Sequence, residues 1–164
     1  MATTNLSHYD KDSIPNADGL RFGIVVSEWN EKITEGLYSG AQQALIDNGV
    51  APEDIIRINV PGSFELTFGA SMLAETTNVD AIITLGSVIQ GETKHFDFVC
   101  QGVSNGITQL NISLDIPVIF GVLTDDTMQQ AIDRSGGTLG NKGIECAIAA
   151  IKMASINQIL RAED

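Results

Sequence analysis

Basic side chains are scarce in this sequence: nine Lys and Arg stand against 21 Asp and Glu, for a formal charge of −12. Nucleic acid and anionic membranes both demand a basic face, so neither is expected as a partner, and an anionic substrate must meet locally placed cations. Cysteine is scarcer still. Cys100 and Cys146 each fall inside an apolar-periodic segment, the usual setting of reduced core thiols rather than of a disulfide or a metal site. Long apolar runs are also missing. Ile144 to Ile151 is interrupted by Glu145 and followed by Lys152, well short of the roughly 20 residues that span a bilayer. Met1 to Asp18 is polar, without the apolar core of a secretory signal or the arginine bias of a transit peptide; the expectation is a soluble, cytoplasmic protein. No G-x-G-x-x-G follows the first strand, and no H-E-x-x-H, paired C-x-x-C or G-x-S-x-G occurs, which weakens dinucleotide, zinc and serine-hydrolase readings.

What is present suits one core. With 164 residues and 43% hydrophobic composition, the chain is read as a polar tail over 1–20 and a single α/β domain over 21–160. Four β-branched runs, Arg21 to Ser27, Ile55 to Val60, Ala81 to Val88 and Pro117 to Thr124, alternate with longer amphipathic segments, the pattern of a parallel sheet covered by helices. Glu31 to Asn48 carries Ile33, Leu37, Ala41, Ala44 and Leu45 on one stripe, with Asn30 as N-cap and Gly49 as the stop. Ser63 is read as the cap of a second helix to about Thr77. Lys94 or His95 opens a third, with Phe96, Val99, Val103, Ile107 and Leu110 at helical spacing. Asp126 caps a short fourth helix ending near Arg134, Ser135-Gly136-Gly137 breaks the chain, and Asn141 starts a long terminal helix through Ile159. The tail is too polar to cover a sheet edge of its own subunit, so it is expected to dock on a neighbour.

Ligands of open parallel sheets bind beyond the carboxyl ends of the strands, and the unusual residues follow those ends. The single Trp, Trp29, either plugs the sheet edge or stacks on a planar ligand; its place on the rim beside Asn30 favours stacking. His95, the one His outside the tail, is either a solvated residue near a helix start or a proton shuttle effective near neutral pH, and the strand-to-helix loop before it favours the shuttle. That loop, Gly86 to Thr93, has the glycine spacing and terminal threonine of a P-loop, but Glu92 stands where the lysine belongs. A carboxylate there repels the β- and γ-phosphates, which excludes an NTPase and leaves a small phosphate site of backbone N–H groups. Arg134 and Lys142 flank the glycine-rich break; such pairs are commonly solvated surface features, yet in so acidic a chain they lead the candidates for charge recognition.

Taken together, Ser27 to Asn30, Pro61 to Glu65, Gly86 to Asp97, Phe120 to Thr124 and Asn141-Lys142-Gly143 resemble lumazine synthase, in one register from about Arg21 to Leu160. The resemblance implies a three-layer α/β/α sandwich on a four-stranded parallel, flavodoxin-like sheet of order 2-1-3-4, with the tail adding a strand to a neighbouring subunit. It implies condensation of 5-amino-6-(D-ribitylamino)uracil with 3,4-dihydroxy-2-butanone 4-phosphate to 6,7-dimethyl-8-ribityllumazine, with no metal or organic cofactor. On the matching positions, Trp29 stacks on the pyrimidine. Ser63, Phe64 and Glu65 hold the pyrimidine and ribityl chain, and Ser87, Val88 and Ile89 read the pyrimidine edge through the backbone. Glu92 and Thr93 cradle the phosphate and Arg134 neutralises it, while Phe120 and Lys142 close the pocket from the adjacent subunit. His95 is the proton shuttle.

The family forms pentamers, often twelve of them in an icosahedral 60-mer shell, and association with riboflavin synthase is a further expectation. The short Arg134 to Lys142 spacing favours the shell. Pro15, which removes a backbone donor from a strand-forming tail, argues the other way. Two rival readings share the fold or the ligand: archaeal-type riboflavin synthase, and a non-catalytic flavin- or lumazine-binding shell protein. A flavodoxin-like signalling domain would need an acidic rim cluster, and Asp125 with Asp126 is more simply a helix start.

Overall fold

A computed structural model describes residues 5–162. Strand β1 (Phe22–Ser27) is buried at every position, as expected of a central parallel strand covered on both faces. Helix α1 (Glu31–Asp47) leads to β2 (Ile55–Val60), and α2 (Leu66–Thr76) to β3 (Ala81–Ile89). Next come α3 (His95–Ser113), β4 (Val118–Asp125) and the short α4 (Met128–Arg134). A small antiparallel pair, β5 (Ser135–Gly137) and β6 (Gly140–Asn141), precedes the long α5 (Lys142–Arg161). The main sheet is parallel, with strand order β2-β1-β3-β4. This is the expected flavodoxin-like α/β arrangement.

The period-2 alternation of the strands sends successive side chains to opposite faces. Ile24, Val26, Ile83 and Leu85 pack with Leu37, Leu45 and Ile151 of α1 and α5. Val25, Ile82 and Val122 pack with Leu66, Leu73, Val103 and Ile107 of α2 and α3. By length and composition α5 is the one described helix apolar enough to cross a membrane, but Cys146, Ala147, Ala150, Ile151 and Ala154 on it are buried in the core shared with α1.

Three helix starts differ from the sequence reading. Asn30 does precede α1, but it lies in the left-handed region (φ 58°) and its side chain caps nothing; Asn tolerates that conformation better than other side chains. Ser63 does not cap α2. It opens a separate 3-10 turn, Ser63–Glu65, and α2 begins at Leu66. At α4 the cap is Thr127 rather than Asp126: Gln130 N–H donates to Thr127 Oγ1 at 3.3 Å, and Gln130 Oε1 accepts from the Asp126 and Thr127 N–H groups. A reciprocal capping box satisfies more orphan donors than one Asp would.

From Asn5 onward the segment read as a tail runs along its own chain. Leu6 N–H donates to Leu139 O at 3.1 Å, the Ser7 hydroxyl accepts from Asn141 N–H, and Tyr9 Oη accepts from Asn48 Nδ2. Ala17 and Leu20 are buried in the α1–α5 core, and residues 5–20 contain one 3-10 turn, Lys11–Ser13, and no strand. Residues 1–4, part of the tail expected to reach a neighbour, lie outside the described residues.

Candidate active site

The β1–β2 pairing continues past both strands. Glu28 N–H donates to Val60 O (2.9 Å) and Trp29 N–H to Pro61 O (3.2 Å), which holds Trp29 at the carboxyl rim. Asn30 then ties this rim to the next strand, its Nδ2 donating to Ser87 O at 2.9 Å. The left-handed turn at Asn30 thus frees the side chain from capping and lets it brace β1 against β3.

Between these ends opens a cleft of about 650 Å³. Trp29 and Asn30 form one lip, Gly62 to Glu65 another, Ser87 to Ile89 the strand end, and His95, Phe98 and Val99 the α3 wall. Trp29 is 73% exposed and Phe64 60%. Covering an aromatic ring contributes about 1.5–3 kcal/mol, so two rings left in water around one concavity mark a surface shaped for a planar ligand.

The polar groups beneath are incompletely satisfied. The hydroxyls of Ser27, Ser63 and Ser87 are buried without a hydrogen-bond partner, a condition that costs about 1–3 kcal/mol per group. Ser63 and Ser87 line the cleft. Ser63 reaches its position because residue 86 is glycine: a Cβ there would lie 2.5 Å from Ser63 Oγ. His95 is the exposed first residue of α3, and its backbone N–H donates to Thr93 Oγ1 at 3.4 Å. Glu65 is the one carboxylate in the lining.

The remaining nominated residues sit elsewhere on this chain. Gln90 N–H donates to Asp125 O (2.9 Å), after which Gly91 to Lys94 are exposed; Glu92 and Thr93 stand outside the cleft lining. Arg134 Nη2 lies 3.0 Å from Glu145 Oε1, an ion pair without hydrogen-bond alignment, and Arg134 Nη1 donates to Leu139 O. Lys142 Nζ holds the other oxygen of the same carboxylate at 3.1 Å. Asp125, nearby, has its carboxyl pushed above the usual range by burial, with Arg134 opposing and Asp126 adding to the shift. Burial pushes the Cys146 thiol up to about 12, so it is an inert core group. Phe120, expected by resemblance to close the pocket from an adjacent subunit, is mid-strand on the edge strand β4, opposite Thr84, and 37% exposed; β4 continues five residues beyond it.

The fold therefore gathers Trp29, Ser63, Phe64, Glu65, Ser87, Val88, Ile89 and His95 around one cleft. It does not bring Glu92, Thr93, Phe120, Arg134 or Lys142 into that cleft on the same chain. Sequence reasoning missed Phe98 as a lining residue and missed the Asn30 brace. Phe98 carries a usable signal, since it lies off the Val103, Ile107, Leu110 stripe of α3 and an aromatic on the outer face of a helix is informative. Among the described residues, no group of three or more His, Cys, Asp or Glu could hold a metal ion.

The family profile of 6,7-dimethyl-8-ribityllumazine synthase matches residues 19–158. The chain belongs to this family. It is 68% identical over 160 residues to the 6,7-dimethyl-8-ribityllumazine synthase of Flavobacterium johnsoniae, covering 96% of this chain and 84% of that protein. The enzyme of the same name from Flavobacterium psychrophilum is 62% identical over 157 residues, covering 96% and 83%. That of Christiangramia forsetii is 62% identical over 161 residues, covering 96% of each. In this lumazine synthase family member the matched span takes in every residue of the cleft. These matches favour neither archaeal-type riboflavin synthase nor a non-catalytic shell protein.

Proposed function

We infer that the protein is a transferase that condenses 5-amino-6-(D-ribitylamino)uracil with 3,4-dihydroxy-2-butanone 4-phosphate to 6,7-dimethyl-8-ribityllumazine, phosphate and water, the penultimate step of riboflavin biosynthesis. The observation that carries this reading, in a chain of this family, is the cleft: exposed Trp29 and Phe64 rings beside the end of β3, with His95 at its mouth. An open strand end presents backbone groups that match a pyrimidine edge, and the rings supply stacking worth about 1 kcal/mol beyond area burial. Ser63 and Glu65 offer a hydroxyl and a carboxylate to the ribityl chain.

The pyrimidine amine attacks the ketone and water leaves to give an imine. Phosphate then leaves by elimination, and ring closure with loss of a second water completes the bicycle. Each step moves a proton, and His95, exposed at the mouth of the cleft, is the group that carries it. Holding both substrates in one concavity supplies much of the remaining acceleration.

The cleft lining contains no Lys or Arg, although the second substrate is a phosphate. Arg134 supplies the charge, Phe120 and Lys142 close the pocket from an adjacent subunit, and Glu92 and Thr93 offer backbone N–H groups just before α3. The active form is then a pentamer, with the 60-mer shell as its larger assembly, riboflavin synthase as an associated enzyme and the cytoplasm as its location; residues 5–20, bonded along their own chain without a strand, do not support the tail adding a strand to a neighbour. Exposed Phe68, Met72, Phe98 and Ile112 on α2 and α3 support such packing, because an isolated soluble subunit rarely leaves so many large apolar groups in water. The test is an assay of the purified protein with both substrates, following the fluorescent lumazine. Product well above the spontaneous background is expected; a rate equal to that background would overturn the reading.

A further inference from the structure

We infer that Gly102 is a positioning residue for pyrimidine binding: lacking a side chain, it lets the Phe64 ring seat against α3 and so sets the width of the cleft facing Trp29. This inference rests on the reading of the cleft as the pyrimidine site. Gly102 lies in the interior of the 19-residue helix α3, where glycine weakens a helix relative to alanine. Its presence there calls for a compensating contact. A Cβ at residue 102 would lie 2.7 Å from Phe64 Cε2, 3.2 Å from Cδ2 and 3.8 Å from Cζ. The three nearest atoms all belong to one ring, so Phe64 is the first group that a side chain there would meet.

Gly106, one turn later, provides the contrast. A Cβ there would collide with Thr67, a β-branched residue in the first turn of α2, and the clash would fall on the packing of one helix against another. Phe64 is different in kind, because its ring is 60% exposed and lines the cleft. A ring with that freedom moves before a 19-residue helix does, and a Cβ on the α3 side drives it toward the cleft. Substitution at 102 is therefore expected to leave the fold intact, or tighten it through better helix propensity, while narrowing the cleft.

The experiment compares wild type, Gly102→Ala, Phe64→Ala and the double variant in the full chain. It uses titration with 5-amino-6-(D-ribitylamino)uracil, steady-state kinetics, thermal melts and a crystal structure of Gly102→Ala. The expected result is a displaced Phe64 ring, a Tm equal to or above that of wild type, and a Kd and KM for the pyrimidine raised about three- to tenfold, the size of one aromatic contact. The kcat should stay within about twofold, and Gly102→Ala should add nothing in the Phe64→Ala background, since the two act through one contact. A Phe64 ring that stays in place, a Kd within twofold of wild type, or an effect that persists without Phe64 would each overturn the inference. A wild type that binds the pyrimidine without turning it over sinks the proposed reaction and leaves the role of Gly102 intact; one that does not bind it sinks both.

Discussion

Around Glu145 both nearby cations are already paired, Arg134 on one carboxylate oxygen and Lys142 on the other. Around Trp29 the situation is the reverse: the hydroxyls of Ser63 and Ser87 are buried without partners, and Trp29 and Phe64 stand in water. The two regions are both nominated for one reaction, yet they differ in what a ligand must do to be bound. At the cation cluster a phosphate has to compete with an existing carboxylate. In the cleft a ligand meets groups that lose nothing by accepting it. Both regions hold buried oxygens without a hydrogen-bond partner within the chain, Ser63 and Ser87 Oγ in the cleft and Glu145 Oε1 and Asp125 Oδ2 at the cations, so it is the exposed rings of Trp29 and Phe64 around a concavity that set the cleft apart.

The strongest way to sharpen this comparison is to remove His95 from the cleft. His95→Ala should lower kcat by about 10² to 10⁴ with modest change in either KM, whereas Arg134→Ala should mainly raise the KM for the keto-phosphate. Equal effects of both changes on both parameters in steady-state kinetics would erase the distinction. Breaking the cation cluster comes next. Glu145→Ala leaves Arg134 and Lys142 without their shared anion and should cost about 1–3 kcal/mol in denaturant unfolding, a loss that a merely solvated surface pair would not show.

Smaller effects test the cleft floor. Because no group of the chain bonds the Ser63 hydroxyl, Ser63→Ala should be neutral or stabilising by up to about 1 kcal/mol while weakening the pyrimidine a few-fold; clear destabilisation in the melt would mean that the hydroxyl is satisfied by water or a neighbouring subunit. The smallest effect is expected at Asp125. Burial, with Asp126 adding, raises its carboxyl pKa in the folded state, so the protonated form favours folding. That contribution is full below the ordinary carboxylate range and is lost as pH rises through the raised value. Asp125→Asn should therefore raise Tm slightly at neutral pH, with the gain disappearing in acid, and a gain independent of pH would count against burial as the cause.

The fold was legible where local pattern carries it. Strand spans read from β-branched runs agree with β1 to β4 to within a residue or two, and Leu37, Ala41 and Leu45 lie on the buried stripe of α1 as their spacing implies. Helix starts were less legible. Capping depends on which side chain wins a competition among neighbours, and Thr127 with Gln130 outcompetes Asp126, while Asn30 reaches across to β3 instead. Of the nominated site residues, Trp29 after β1, Ser63 to Glu65 after β2, Ser87 to Ile89 at the end of β3 and His95 at the start of α3 share the cleft, because strand ends in a parallel sheet lie side by side.

By itself the sequence determined the alternation of strand and helix, the faces that would be buried and the motifs that assign the chain to its family, since periodicity and turn chemistry act within a few residues. Only the tertiary structure decided that Ser63 tucks over Gly86, that Phe64 rests where Gly102 has no side chain, and that Arg134 and Lys142 share Glu145. Ser63 with Gly86 and Phe64 with Gly102 join residues tens of positions apart, whose distance depends on how each crossover packs on the sheet. Arg134 and Lys142 are near in sequence, but their common partner is set by the turn of β5 and β6 against the start of α5.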